Sequence, residues 1–484
     1  MFPSERSPCP PLKRKDRMAT ITVKELLAKP ESRRDIVVKG WIKTKRDSKT
    51  FSFAELNDGS CRENLQIIFE SKNGDFSAVL PRLLTGASVA ITGDLLQAPA
   101  GTKQKMELHA KKAEIYGDCD PEKFPIQKKQ TSDEFLRTVA HLRPRTNKYA
   151  AMLRMRSELS FAIHKYFKDN GFFYVHTPII TGSDCEGAGQ MFSATSLDLG
   201  NLAALPKTDK GEIDFSKDLF GKKTYLTVSG QLEGETLALA LGKIYTFGPT
   251  FRAENSNTYR HCAEFWMVEP EMAFYELDDD MALAEDFVKS ITRHVLEHCG
   301  TDLELFAKFV DASLMDTLKN VTDSKYERIA YTEAVKLLEP ENARFETKVS
   351  WGVDLASEHE RFLTENYFKK PVILYNKPKN AAAFYMKLNN DDKTVRGMDL
   401  LVPRIGELIG GSERENRLEV LEKKMADMKI SPETYGWYLD LRRYGSVPHS
   451  GFGLGFERMM MLITGISNIR DVTAYPRVPG YAEF

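Results

Sequence analysis

The chain has 484 residues, enough for two to four domains and a large core. Its 68 Lys and Arg balance 69 Asp and Glu, so net charge announces no nucleic-acid partner and a local basic patch would have to hold one. Six dispersed cysteines without a Cys-x-x-Cys pair suggest neither a zinc ribbon nor a disulfide framework, and no apolar run reaches the ~18 residues of a membrane span.

Residues 1–19 read as a disordered N-terminal tail, with a Lys13-Arg14-Lys15 run but no apolar signal segment, and Met18 offers an alternative start. Residues 20–117 read as about five short strands with turns, which fits a small barrel of the OB-fold type with one short helix near Leu83 and Leu84. Lys43, Lys45, Arg46 and Lys49 lie beside Phe51 and Phe53. Cations for a phosphate backbone and rings for bases are the means of gripping single-stranded nucleic acid. The alternative is that both rings are core and the cations merely solvated.

Residues 118–147, with Pro121, Pro125, Pro144 and basic Lys128, Lys129, Arg143 and Arg145, read as a hinge. Apolar residues from Tyr149 to Asn170 recur at helical spacing, and Asn170-Gly171 signals the stop. A strand interrupted at Pro178 follows, then a Gly-rich loop over 181–190 that could be a lid. Later come a helix ending near Gly242, a helix from about Asp278 to Cys299, and strand candidates at 371–375, at 381–386 and around Asp399.

Four stretches carry chemistry. Phe251 to Met272, ending near Phe274, reads as a hairpin: Arg252 and Glu254 share one strand face, and the returning strand offers Arg260, His261, Glu264 and Phe265. Arginine matches phosphate bidentately and an aromatic face stacks on a base, although a hairpin of cross-strand ion pairs is the plainer reading. Asp399 and Glu407, with Arg414 opening a helix, suit magnesium when phosphates share the site, or are solvated acids at a strand end. Gly451, Gly453 and Gly455 alternate along a strand that leads to Arg458, leaving one face bare for a flat ligand or another backbone. Neither a dinucleotide fingerprint nor a Walker lysine is present. Finally, His294-Val-Leu-Glu-His298 matches the inverted zincin pattern; a metalloprotease would also need a third ligand, and the plainer reading is a helix C-terminus where His suits the dipole.

Together these stretches resemble the class II aminoacyl-tRNA synthetases. The long helix with its Pro178 strand is similar to motif 1, Phe251-Arg-Ala-Glu with Arg260-His261 and Phe265 to motif 2, and Gly451 to Arg458 to motif 3. An OB-fold placed ahead of the catalytic domain marks the Asp/Asn/Lys subgroup. Within it, Asp184-Cys-Glu-Gly-Ala-Gly, Phe251-Arg-Ala-Glu-Asn-Ser, Phe265-Trp-Met-Val-Glu-Pro-Glu and Ile409-Gly-Gly-Ser-Glu-Arg-Glu look like the asparaginyl family's versions. The aspartyl enzymes carry a lysine where Gly234 stands, and a neutral amide needs a donor and an acceptor rather than a second cation.

The resemblance implies an α+β multidomain chain: an OB-fold over 20–117, the hinge over 118–147, and over 148–484 a catalytic domain with an antiparallel sheet flanked by helices. It implies a cytoplasmic homodimer that joins L-asparagine to tRNA(Asn) with ATP and Mg2+. Arg252 would hold the α-phosphate and the substrate carboxylate, Glu254 read the adenine amino group, and Phe265 and Arg458 sandwich the adenine. Arg260 and His261 would serve the triphosphate, Gly455 would line the nucleotide site, and Asp399 and Glu407 would bind magnesium. Glu186 and Gln231 would hold the substrate ammonium, Glu269 and Arg414 the side-chain amide, and Phe53 and Gln66 the central anticodon base. Gln190 stands where the family pattern leads one to expect Glu.

Overall fold

The computed structural model describes residues 21–48, 50–102, 104–126, 131–185, 191–256 and 258–484. It divides into two units, residues 1–139 with 145–150 and residues 140–144 with 151–484.

In the first unit five strands close a barrel in the order β1-β2-β3-β5-β4: Arg33–Asp47 (β1), Phe51–Asn57 (β2), Leu65–Glu70 (β3), Ser88–Gln97 (β4) and Met106–Gly117 (β5). Alternation fills it, as Val38, Ala54, Leu56, Ile67 and Leu108 point inward. The short helix α1 (Val23–Ala28) adds Val23 and Leu26 to that core and is fixed by a capping box between Thr22 and Glu25. The connection expected to be helical near Leu83 holds only single 3-10 turns, at Ser71–Asn73 and Leu80–Arg82.

The helices α2 (Asp133–Thr138) and α3 (Asn147–Asp169) follow. Gly171, with φ of 77°, ends α3 in the left-handed region that glycine accepts. The second unit is built on an eight-stranded sheet. In chain order the remaining strands are β6 (Phe173–Tyr174), β7 (Ile180–Thr181), β8 (Ser193–Ala194), β9 (Thr224–Leu226), β10 (Lys243–Phe251), β11 (Glu264–Ala273), β12 (Glu327–Ala330), β13 (Val372–Pro378), β14 (Thr394–Val402), β15 (Gly406–Glu413) and β16 (His449–Gly455). The large sheet runs β12-β13-β14-β15-β16-β11-β10-β6, and β7-β9-β8 form a small one. The six central strands pair antiparallel, and each outermost pair is parallel.

Two helices brace the sheet. α4 (Gln231–Leu241) packs on β10 and β11, and α5 (Leu277–His298) on β14, β15 and β16. α5 buries Met281, Ala284, Phe287, Val288, Ile291 and Val295, a stripe at three- and four-residue spacing.

The structure corrects three further expectations. Arg252 and Glu254 lie beyond the end of β10, and Arg260 and His261 lie in the connection before β11, so the hairpin has a long loop. Residues 381–386 form no strand, because Phe384 and Tyr385 bury into a cluster with Tyr435 and Tyr438; a short apolar run does not declare which it will do. Arg414 follows β15 through a single bridge to Met386, and the next helix starts only at Leu418.

Candidate active site

β11 is the floor of the site. Phe265, Met267, Glu269 and Glu271 are spaced two apart and so share one face of the strand. The neighbouring strand β16 meets it antiparallel, with Glu271 opposite Gly451 and Met267 opposite Gly455. A Cβ at Gly451 would sit 2.4 Å from the Glu271 carboxylate, and one at Gly453 would sit 2.5 Å from the Met267 methyl. The bare face therefore receives side chains of β11 at 451 and 453, whereas at Gly455 only the Arg458 side chain comes near.

Two pockets meet over this floor. One is lined by Arg252, Glu254, Arg260, His261, Phe265, Glu407, Gly455 and Arg458 among others. The second is lined by Gln231, Glu269, Glu271, Lys377, Asp399 and Arg414 among others. Both contain Arg252, Met267, Glu407 and Gly453. A larger cavity of about 770 Å³ shares only Arg260 with them.

In the first pocket the Arg252 guanidinium lies over the Phe265 ring at 5.3 Å. Arg458 donates to a Glu407 carboxylate oxygen at 3.1 Å and to its backbone carbonyl at 3.0 Å. Arg260 donates to the Ser357 hydroxyl and stands 3.9 Å from Glu360. His261 Nδ1 lies 2.7 Å from the Thr258 hydroxyl and 3.0 Å from that of Ser256. Burial and then the Arg458 charge lower the His261 pKa, which keeps the imidazole neutral at pH 7.

Asp399 and Glu407 converge above Gly410, where a Cβ would lie 3.0 Å from Glu407 Oε1 and 3.6 Å from Asp399 Oδ1. Lys377 Nζ pairs with Asp399 at 2.8 Å. Burial lifts Asp399 to about 6, with Glu407 adding to the rise and Lys377 opposing it. Burial works against the charge on Glu407 too, but Arg458 and Lys377 hold its pKa below the ordinary value. Two carboxylates facing one small space are a donor set that fits a magnesium ion.

The far end of the second pocket is a buried charge network. The Arg414 guanidinium binds Glu271 through both Nε and Nη2, and Nη1 donates to Ser412 at 2.8 Å. Glu235, fully buried on α4, stands 3.9 Å behind Arg414 and accepts from Arg442 at 3.0 Å and Tyr438 at 2.8 Å, with His449 Nε2 at 3.0 Å. Burial disfavours its charge, but Arg442, His449 and Arg414 outweigh that and hold its carboxyl well below the usual range. Burial pushes Glu271 up to about 8 against the pull of Arg414, and the Glu235 and Glu269 charges add to the rise. Glu269 is held elsewhere, by the Ser229 hydroxyl, the Gly230 N–H and Thr246 Oγ1. Arg414 thus pairs with Glu271 and not with Glu269, though all three line the pocket. Gln231 opens α4 and donates to Glu235 at 3.1 Å. Glu186 and Gln190 lie outside the described residues, as does the second half of the candidate lid, 186–190.

Chain positions that the sequence did not single out complete the site. Glu271 was findable, being two residues from Glu269 on the same strand face. Glu235, Lys377, Arg442 and His449 had no local signal, since charged residues in helices and strands are ordinarily solvated. Trp266 N–H donates to Glu457 Oε2 at 2.9 Å, and Arg156 of α3 holds the other Glu457 oxygen at 2.7 Å, so α3 is tied to the helix Phe456–Thr464 that carries Arg458.

On the barrel, Ser52, Ala54 and Leu56 are the buried side of β2, so Phe51 and Phe53 lie on the other side, edge to face at 4.7 Å. Gln66 on the adjacent β3 donates to Glu107 at 2.8 Å. Lys43 and Lys45 donate to the backbone carbonyls of Arg145 and Leu80, each at 2.8 Å. Arg46 is exposed and in register with Phe53, and Lys49 lies outside the described residues.

Residues 132–479 match the family described as tRNA synthetases class II (D, K and N), and residues 36–116 match the OB-fold nucleic acid binding domain. The chain belongs to the class II tRNA synthetases. An asparagine–tRNA ligase from Oleidesulfovibrio alaskensis is 56% identical over 450 residues, covering 93% of this chain and 96% of that protein. One from Nostoc is 54% identical over 467 residues, covering 96% and 100%. Among solved structures, the asparaginyl-tRNA synthetase of Pyrococcus horikoshii complexed with asparaginyl-adenylate superposes with a TM-score of 0.81 at 30% identity, covering 96% of this chain and 99% of that one. Among the described residues no helix is long and apolar enough to cross a membrane.

Proposed function

We infer that this class II synthetase ligates L-asparagine to tRNA(Asn) with ATP, in two steps through an asparaginyl-adenylate. One observation carries the reading: a phosphate- and base-suited pocket and an amide-suited pocket adjoin, and Arg252 lines both. An amino-acid carboxylate that attacks an α-phosphate must meet it at one point, and a guanidinium there neutralises both reactants and the charge that develops between them. No side-chain nucleophile is required.

In this reading Phe265 and Arg458 hold the adenine faces, Glu254 accepts from its amino group, Gly455 leaves room beside it, and Arg260 with neutral His261 serves the remaining phosphates. Gln231, with Glu186, takes the substrate ammonium. Arg414 donates to the side-chain carbonyl, and Glu269 and Glu271 stand on the same face as acceptors for its NH2. Asp399 and Glu407 would hold Mg2+, which supplies charge neutralisation at the phosphates. Once the adenylate has formed, the terminal adenosine hydroxyl of the tRNA takes the acyl group. Phe53 and Gln66 on the barrel's outer face take the central anticodon base, by stacking and by hydrogen bonds to its edge. We also propose a homodimer, formed through the face where α3 and the strands after it expose Phe161, Phe173, Tyr174 and Ile180, and a cytoplasmic location in keeping with the dispersed thiols.

Pyrophosphate exchange with each of asparagine, aspartate and lysine tests the reading. Exchange is expected with asparagine, and dominant exchange with aspartate would overturn it. Arg252→Ala should abolish exchange with the fold intact, and retained exchange would remove Arg252 from its role.

A further inference from the structure

Away from both pockets, α3 and α5 bring together Glu158, His294 and His298, whose ligand atoms all lie within 4.8 Å of one another. Among the described residues it is the one such group. The two histidines are a helical turn apart on α5 and share a face. Their rings stack with centroids 4.0 Å apart and planes within 11° of parallel.

Two hydrogen bonds set which ring nitrogens carry protons. His298 Nδ1 lies 2.9 Å from the backbone carbonyl of His294. A carbonyl only accepts, so Nδ1 carries the proton and the Nε2 lone pair is free, which is the orientation a metal-ligating histidine normally takes from its outer hydrogen bond. His294 Nε2 stands 2.8 Å from Glu158 Oε1; a carboxylate also only accepts, so this nitrogen carries a proton that zinc would displace on binding, leaving the nitrogen and the oxygen to face one ion. Ligands ~2.0–2.2 Å from a tetrahedral ion lie roughly 3.3–3.5 Å from each other, so binding requires the ligand atoms to draw in and the two stacked rings to rotate out of parallel until both aim at one ion.

We propose that Glu158, His294 and His298 bind a divalent zinc ion that joins α3 to α5. Two imidazoles and one carboxylate suit zinc, whereas magnesium and calcium require oxygen ligands. The His-x-x-Glu-His run thus contributes its two histidines, and its own Glu297 is not a ligand. The carboxylate comes from the other helix, one that no reading of the run itself could supply. Glu158 lies two residues beyond Arg156, the residue that holds Glu457, so the ion braces the part of α3 that supports the nucleotide-binding helix. Because Glu158 is half-buried and His298 exposed, the remaining coordination positions belong to water.

The test uses the full-length, tag-free protein, stripped with chelator and titrated with zinc chloride alone by calorimetry. Metal content is then measured after dialysis, and the visible spectrum is recorded with Co2+ in place of zinc. One ion per chain is expected, together with a higher melting temperature in zinc. His298→Ala and Glu158→Gln should each weaken binding by at least about tenfold. His298 is exposed and outside the catalytic pockets, so asparagine-dependent exchange by His298→Ala serves as its folding control. Absence of saturable binding, or binding with unchanged affinity and stoichiometry in both variants, would overturn the proposal.

Discussion

Replacing Glu235 with Gln removes a permanent anion from behind Arg414 while keeping the shape of the side chain. Glu235 lies 3.9 Å from Arg414, a separation at which opposite charges attract by about 4 kcal/mol at an effective dielectric constant of 20. A substrate carboxylate on the far side of the guanidinium would sit roughly 8 Å from Glu235 and feel a repulsion of about 2 kcal/mol, close to thirtyfold in affinity. Neutral asparagine feels almost none of it. Glu235→Gln should therefore raise kcat/KM for aspartate relative to asparagine by roughly ten- to thirtyfold. Arg442, fully buried, loses its charged partner, so the variant should also lose about 3–5 kcal/mol of stability. The assay is pyrophosphate exchange with each amino acid at a temperature where circular dichroism finds the variant folded. An unchanged ratio in the folded variant would refute the charge argument, and unchanged stability would refute the network.

Three further outcomes are expected. Gly451→Ala places a methyl where the Glu271 carboxylate lies, so exchange activity should fall at least about a hundredfold while the fold survives; near wild-type activity would mean that the Glu271–Arg414 contact is dispensable. Glu271 is raised to about 8, so the native chain binds its proton more tightly than the unfolded chain does. Its contribution to stability is complete below the ordinary carboxylate pKa and is lost as pH rises through about 8, at up to ~1.4 kcal/mol per pH unit; urea unfolding should register that slope and Glu271→Gln should flatten it. Phe53→Ala should raise the KM for tRNA and cost about 1–3 kcal/mol of tRNA binding while leaving tRNA-independent exchange untouched, and a loss of exchange would assign the ring a structural role instead.

Phe265 reads onto the returning strand and Glu269 comes from the family resemblance, and the strand's pleat puts both on one face. Period-two reading itself applies to Arg252 and Glu254. It placed Arg252 and Glu254 wrongly in the same regular geometry: strand periodicity carries no marker for the residue at which pairing stops. Phe51 and Phe53 could be read as core or as surface, and their side was decided by Ser52, Ala54 and Leu56, which fill the barrel. Lys377, Arg442 and His449 were beyond reach, for each acquires its role from a partner far away in the chain: Lys377 from Asp399, and the other two from Glu235. In the same way the zinc ligand Glu158 lies more than a hundred residues from the histidines it joins.

β11 also acts as a ruler. Phe265, which lines the first pocket, and Glu271, which lines the second, are six residues apart on one extended strand, which sets their separation at roughly 20 Å. That spacing fixes how long a bound intermediate must be to touch both ends. A strand cannot stretch, and a slip of one residue would turn every one of these side chains to the opposite face. In the proposed reading a shorter or longer substrate would therefore be rejected by length before any individual contact is compared.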